Sequence, residues 1–301
     1  MAWRSSGTSN AELVENLWRN KLITQPPVRS AFLAVDRAHY APGARSAYED
    51  SPQPIGHGAT ISAPHMHANA VETLLPFLLP PPPPLPSTAD ADADVHHNNN
   101  NNQTAEGVQV QGVPGRPRRV LDVGSGSGYL THVLAQLAGD AAVVVGLEHV
   151  DALRRLGEAN MRKSADGRRR LDAGRVRFRV GDGRQGWREP RPAETQPRVG
   201  GVAAGSVREE VETRTQGESK DGKEMDEAGG WDAIHVGAAA AELHEELVRQ
   251  LRSPGRMFIP VEDGNGWEQH IWTVDKDEEG VVRKQRLYGV RYVPLTDAPG
   301  S

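Results

Sequence analysis

Three observations predict an α/β fold in which a mainly parallel sheet is wound on both faces by helices. From Arg119 onward, short apolar segments alternate with amphipathic ones; a glycine turn, Gly124-Ser-Gly126-Ser-Gly128, follows directly on the first apolar segment; and the C-terminal part changes to strand-length segments separated by Asp/Gly/Asn turns.

Taken in order, Ser9-Asn10-Ala11-Glu12 has the spacing of a capping box, and Leu13, Val14, Leu17 and Trp18 recur on one face of the helix it opens. Pro26-Pro27 stops that helix and starts another carrying Val28, Phe32 and Val35, and a third begins after Pro64 with Ala70, Val71, Leu74, Leu75 and Leu78 apolar. These N-terminal helices precede the first sheet strand. The order then becomes strand Val120 to Val123, helix Leu130 to Leu137, strand Val143 to Leu147, helix Leu153 to Met161, strand Val176 to Val180, strand Ala233 to Val236, and a helix running to Leu251. Near-continuous Val, Leu and Ile runs suit strands covered on both faces. Met257 to Val261, Gln269 to Val274 and Val281 to Tyr292 read as strands joined by hairpin turns at Asp263-Gly264-Asn265-Gly266 and at 275–280, so the sheet is expected to end antiparallel.

Two stretches have compositions that bury no core. From about 80 to 117 come a proline run, an Asp-Ala alternation, His96-His97 and five asparagines ending at Asn102; from about 189 to 230 the chain is rich in Glu, Arg, Gly, Thr and Pro without a sustained period. Both are expected to be disordered inserts. Subtracting them from 301 residues leaves roughly 220, the span of one domain, so 1–301 is expected to be a single domain carrying two inserts.

Composition narrows the function. The 35 basic and 40 acidic side chains nearly cancel at a net charge of −5, which argues against a protein built to coat a nucleic-acid backbone. The absence of cysteine removes disulfides, thiolate metal sites and a cysteine nucleophile. No apolar run approaches the roughly 18 residues of a membrane helix, and Met1-Ala-Trp-Arg-Ser-Ser has no apolar signal core, which leaves a cytoplasmic protein without membrane partners as the expectation.

The glycine turn is the most informative stretch. It gives G-x-G-x-G, with Tyr129 where a dinucleotide fingerprint wants its third glycine, so Gly124, Ser125 and Gly126 point to an adenosyl ligand without pyrophosphate in preference to NAD. The second strand ends at Glu148, where a carboxylate suits both ribose hydroxyls; capping the next helix is the alternative. The third ends in Gly181-Asp182-Gly183-Arg184, where Asp182 suits an adenine amino group and the glycine backbone admits a ring. His65 and His67, two residues apart, have the spacing to bind metal from one face of a strand, but the Pro64 helix start sets them on different faces and no third ligand is near, so no metal is expected. His235, on a buried strand, reads as a core or site-lining residue and not as a general base.

These segments together resemble the protein-L-isoaspartate (D-aspartate) O-methyltransferase family. The resemblance rests on Val35-Asp36-Arg37, Tyr48-Glu-Asp-Ser-Pro52, Ala59-Thr-Ile-Ser-Ala-Pro-His-Met-His67, Leu121-Asp-Val-Gly-Ser-Gly-Ser-Gly-Tyr129, Gly181-Asp-Gly-Arg184, Asp232-Ala-Ile-His-Val-Gly-Ala-Ala239 and Tyr292-Val-Pro-Leu-Thr-Asp297, and covers nearly all of the chain outside the inserts. It implies a Rossmann-like methyltransferase fold, S-adenosyl-L-methionine as methyl donor, isoaspartyl-containing peptides and proteins as acceptors, and a monomer. By the same resemblance Ala59, Thr60, Ile61 and Ser62 line the donor pocket, with Ser62 beside the reacting centre. His67, Ser125, Glu148, His149, Asp182, Gly183 and Thr296 contact the donor. Ser62 is expected to orient the incoming carboxylate, and backbone around Val236-Gly237-Ala238 to read the displaced main chain; helix-strand packing by small residues is the alternative for the latter. A same-fold enzyme acting on a small molecule or RNA, and an adenosyl-binding module without activity, are the competing readings.

Overall fold

The computed structural model of the chain describes residues 2–43, 46–82, 108–189, 229–264 and 268–296. Residues 83–107 and 190–228, which make up most of the two expected inserts, lie outside the described residues, as do Asn265 and Gly266 of the expected hairpin turn. The stretch 108–117 is described and tied down: the Gln111 N–H donates to the Pro76 carbonyl at 2.8 Å, and Val108 packs against the core.

The N-terminal helices form as their signals require. In α1 (Asn10–Arg19) the Ser9 hydroxyl accepts from the Glu12 N–H, while the Glu12 carboxylate reaches back to the Thr8 N–H and hydroxyl, one residue earlier than a standard capping box. Leu13, Val14 and Leu17 face inward. Helix α2 (Pro26–Ala34) begins on Pro26-Pro27, and α3 (Pro64–Leu78) begins on Pro64, with Ala70, Val71, Leu74, Leu75 and Leu78 buried. Glu72 of α3 accepts the N–H groups of Thr24 and Gln25, so one helix caps the entry to another.

Between α2 and α3 stands a hairpin the sequence did not announce: β1 (Gln53–Gly56) pairs antiparallel with β2 (Ala59–Ile61). His57 and Gly58, at φ +53° and +72°, form its two-residue turn.

The main sheet has seven strands. They are β3 (Arg119–Val123), β4 (Val143–Glu148), β5 (Val176–Val180), β6 (Trp231–Val236), β7 (Leu251–Glu262), β8 (Gln269–Lys276) and β9 (Val282–Val290), ordered β5-β4-β3-β6-β7-β8-β9. The first five are parallel and the last two antiparallel, as expected. Helices α4 (Tyr129–Ala138), α5 (Asp151–Met161) and α6 (Ala165–Asp172) join β3, β4 and β5. The helix expected to run to Leu251 is corrected to the short α7 (Glu245–Arg249), because Ala239 and Ala240 bridge instead to Pro294 and Val261. Strand β7 correspondingly starts at Leu251, six residues before the apolar run that predicted it.

Alternation along β3 divides the core in two. Leu121 and Val123 join Val145, Leu147, Ile234, Val236, Met257 and Ile259 on one face, while Val120 joins Val144, Val176, Ala233 and Phe258 on the face covered by α1 to α4. Asp122 and His235 are paired on the second face.

The start of β6 carries a buried ionic hub. Asp232, 1% exposed, accepts from the Arg119 N–H at 2.7 Å, Arg252 at 2.8 Å and Arg116 at 3.1 Å, with Arg118 at 3.7 Å. Removing one partner of such a cluster leaves its counter-charges desolvated and uncompensated. Asp232→Ala is expected to lower unfolding stability by about 3–5 kcal/mol, read as a fall in the urea midpoint; an unchanged midpoint would show that solvent replaces the carboxylate.

Candidate active site

The chain order places a ligand site before any side chain is considered. After β3 the chain moves outward through β4 to β5, then returns to the other side of β3 as β6, so the topology reverses between β3 and β6. Ligands of open α/β sheets sit at the carboxyl ends of the strands at such a point. Here the two strand ends nearly touch: an ideal Cβ on Gly237 would lie 3.2 Å from the Gly124 carbonyl oxygen. A small cavity at this point is lined by Thr60, Ile61, Ser62, His67, Asp122, Gly124, Ser125, Gly126, Ser127, Tyr129, Leu130, His235 and Gly237. A larger concavity, around Phe77, Arg256 and Asp275, lies at the opposite, amino-terminal edge of the parallel strands and mixes charges of both signs.

The glycine turn has the shape its composition requires. Gly126 and Gly128 take φ +49° and +82°, and a Cβ on Gly128 would stand 2.9 Å from the Gly157 carbonyl oxygen, so α5 packs directly on the turn. Glu148, at the end of β4, accepts from the Gly126 N–H at 3.0 Å through one oxygen, and from the His149 and Val150 N–H groups at 2.8 and 3.1 Å through the other. It is 4% exposed. The carboxylate thus both caps its own helix, the alternative raised from sequence, and holds the glycine turn.

Hairpin β1–β2 brings the other half of the site. It delivers Thr60, Ile61 and Ser62 to the cavity, and the Ser62 hydroxyl has no hydrogen bond to a described residue. The backbone beneath it is clamped from two sides. Arg37, fully buried, donates to the Ser62 carbonyl at 2.8 Å and lies over the Tyr129 ring at 5.3 Å. Asp50 accepts from the His65 N–H at 3.0 Å and pairs with His65 Nδ1 at 2.8 Å, fixing the first turn of α3. Burial pulls the Arg37 guanidinium down to about 10, which leaves it cationic at neutral pH. His65 is therefore held by Asp50, whereas His67 packs on Tyr129 with ring centroids 5.3 Å apart. Burial first, then the Arg37 charge, push His67 well below the usual imidazole range, so it is neutral.

Several buried polar atoms here lack partners: Ser125 Oγ, His67 Nδ1 and Tyr129 Oη. Unpaired buried polar groups are costly, and their convergence on one cavity is the mark of a site whose partners arrive with a ligand.

Of the residues expected from sequence, Thr60, Ile61, Ser62, His67, Gly124, Ser125, Gly126 and Gly237 meet at the cavity; Ala59 is the residue before Thr60, and Glu148 and His149 reach it through the glycine turn. Asp182 and Gly183 follow β5 at the same edge, but Asp182 already receives the Arg184 N–H and guanidinium, an ion pair that holds its carboxyl below the usual range. Thr296 follows Leu295, whose N–H donates to the Ala239 carbonyl and whose side chain lies against Gly183, so the C-terminal segment returns to the site. Ala238 is 8% exposed, while the Val236 side chain points into the opposite core and offers only backbone. Sequence reasoning missed Asp122, Ser127, Tyr129 and Leu130 as lining residues; an acid inside the apolar run Val120-Leu-Asp-Val was the signal for the first.

Comparison with known proteins finds that residues 8–80, 113–210 and 194–300 match the family model "Protein-L-isoaspartate(D-aspartate) O-methyltransferase". The chain is 35% identical to the protein-L-isoaspartate O-methyltransferase of Caenorhabditis elegans, over 98% of this chain and 96% of that one. It is 35% identical to protein-L-isoaspartate O-methyltransferase 1 of Arabidopsis thaliana, over 97% and 93%. Among solved structures, a Plasmodium falciparum protein assigned as a protein-L-isoaspartate O-methyltransferase, in complex with S-adenosyl-L-homocysteine, is similar with a TM-score of 0.64 and 28% identity, covering 96% of this chain and 98% of that one.

A neutral buried His67 makes stability depend on pH. The unfolded chain takes up a proton on this imidazole below about pH 6.5 while the folded chain does not. Its contribution is therefore fully present above that pH and is lost as pH falls toward the folded value. Between pH 7 and 5, His67→Gln is expected to flatten the fall in unfolding free energy by up to about 1.4 kcal/mol per pH unit, measured by urea titration at each pH; an unchanged slope would mean that the buried ring titrates normally.

Proposed function

The chain belongs to the protein-L-isoaspartate(D-aspartate) O-methyltransferase family, and from that membership we propose that it transfers a methyl group from S-adenosyl-L-methionine to the free carboxylate of L-isoaspartyl and D-aspartyl residues in damaged peptides and proteins, which initiates their repair. The observation that carries the reading is the meeting of the 59–62 hairpin strand with the glycine turn at one cavity.

The residues present fit such a donor. The bare Gly124 and Gly126 backbone lets a ligand approach the strand end, the Ser125 hydroxyl is buried without a partner among the described residues, and the Glu148 carboxylate, which accepts two amides on one oxygen and one on the other, keeps one lone pair for a ribose hydroxyl. Ala59, Thr60, Ile61, His67 and His149 complete the donor side of the reading. Asp182 and Gly183 are assigned to the adenine and Thr296 to the outer rim. When bound, the donor supplies an electrophilic methyl group on a sulfonium whose departure leaves a neutral thioether.

The chain's own contribution is positional. A carboxylate with a pKa near 4 is already ionised at neutral pH, so the reaction requires no general base, and alignment of the reacting groups is worth on the order of 7–11 kcal/mol. Ser62 is assigned to orient the carboxylate through its hydroxyl, with Arg37 and Asp50 holding the backbone that carries it. The strand end after β6 is assigned to the peptide. The Gly237 N–H is taken by the Val123 carbonyl and the Ala239 N–H by the Val293 carbonyl, which leaves the Ala238 backbone between them for the substrate main chain, while Val236 turns its side chain into the opposite core and Gly237 has none, which leaves room for a peptide. The same reading has the chain act as a single-domain monomer in the cytoplasm. Among the described residues no helix is long and apolar enough to cross a membrane.

Methyl-labelled donor offered to a matched pair of peptides, one with isoaspartate and one with aspartate, is expected to label only the former and to give a base-labile product. Transfer to RNA alone, or to neither peptide, would overturn the assignment. Ser62→Ala is expected to lower kcat by about 10- to 100-fold with donor Kd within a few-fold, measured by steady-state kinetics and calorimetry; unchanged turnover would remove Ser62 from its role. Ala238→Leu is expected to raise peptide KM before it affects donor Kd, and the reverse order would place Ala238 on the donor side.

A further inference from the structure

Asp122 and His235 are directly paired across β3 and β6 and project from the same sheet face, among Val120, Val144, Ala233 and Phe258. A polar pair in that position is the informative exception in a strand otherwise built for burial. His235 Nδ1 lies 2.8 Å from one Asp122 oxygen, the Thr131 hydroxyl donates to the other at 2.5 Å, and the imidazole stacks on Phe258 with centroids 5.9 Å apart. The ring is held by Asp122 at its edge and by Phe258 on its face, and Thr131 fixes Asp122 in turn. Asp122 as a carboxylate accepts only, so Nδ1 carries a proton, and in the neutral imidazole the lone pair is then on Nε2. Nε2 has no hydrogen bond to a described residue, and the ring lines the cavity with Ser62 while its residue is 4% exposed.

We infer that His235 is a specificity-determining residue of the acceptor site, whose Nε2 accepts the main-chain N–H of the isoaspartyl residue itself. This deepens the methyltransferase reading and rests on it. A lone pair repels a carboxylate and attracts an N–H, so His235 and the Ser62 hydroxyl form a complementary acceptor and donor on one cavity wall. The two linkage isomers differ in the spacing such a pair senses. In a β-linked residue the free carboxylate and the N–H sit on the same carbon; in ordinary aspartate the carboxylate is one carbon further away. An acceptor at a fixed distance from Ser62 therefore reads the linkage directly. Asp122 and Thr131 act as positioning residues by fixing the tautomer and the ring plane.

The test combines two variants with two peptides. His235→Asn keeps a donor near Asp122 and withdraws the Nε2 position, whereas His235→Gln restores a polar atom close to it. The second peptide replaces the isoaspartyl N–H by an ester oxygen. For the wild-type protein the ester is expected to raise peptide KM about tenfold, with donor Kd unchanged. His235→Asn is expected to show the same rise with the ordinary peptide, no further rise with the ester, and donor Kd within twofold; His235→Gln recovers part of the loss. An ester without effect on the wild type, an equal ester penalty in wild type and His235→Asn, or a parallel loss of donor binding in both variants overturns the inference while leaving methyl transfer intact. Absence of methyl transfer by the wild-type protein overturns the parent reading and this inference with it.

Discussion

The glycine turn after β3 and the loop after β4 are separate segments, and a single carboxylate joins them. Glu148 is 4% exposed and engages three backbone N–H groups, one on the glycine turn and two at the start of the next helix. A buried carboxylate in that position is stable because the amides solvate it in place of water. The left-handed glycines, the close approach of α5 to Gly128 and the orientation of the strand ends all depend on that arrangement. Without it, two strand ends would be anchored only by their own ladder, and the donor surface would have no fixed floor.

The second half of the site is held by a different device. Hairpin β1–β2 is short and contributes little core, so its placement depends on charges buried beneath it: Arg37 on the Ser62 carbonyl and Asp50 on the first turn of α3. The N-terminal helices are in turn fastened to the sheet layer by a buried chain in which Tyr40 Oη meets His132 Nδ1 at 2.6 Å and His132 Nε2 meets Asp166 at 2.9 Å. Ser62 is thus carried by a helical cap, whereas Glu148 is carried by the parallel sheet. Their relative position depends on the interface between the two, which is lined by Phe32, Tyr40, Tyr129, Leu130 and Val133.

Much of this was legible in the sequence because the signals were local. The glycine spacing, the acid at the end of β4, the Pro64 helix start and the antiparallel end of the sheet each follow from a few adjacent residues. What escaped depended on distant partners. Hairpin β1–β2 contains Pro54 and too few residues to show alternation, and it exists because α3 and Arg37 hold its far strand. Helix α6 carries three successive arginines and no apolar stripe; its stability comes from Arg170 on the Ala135 carbonyl and Asp166. The alanine run 238–241 looks helical, yet the returning C-terminal segment claims Ala239 as a bridge partner. Asp122 stands out as an acid in an apolar run, but its partner is not local, since only the register of β3 against β6 brings it to His235.

On the proposed function, the Glu148 carboxylate and the Ser62 strand face one donor from its two ends. The most direct measurement is a crystal structure of the chain with S-adenosyl-L-homocysteine, read for the distances from Glu148 to the ribose hydroxyls. A ribose hydroxyl is expected at about 2.6–3.0 Å from the Glu148 oxygen that accepts the Gly126 N–H, with the sulfur directed toward the cavity lined by Ser62 and His235. A ribose turned away from Glu148, or a ligand seated instead in the concavity around Arg256, would contradict it.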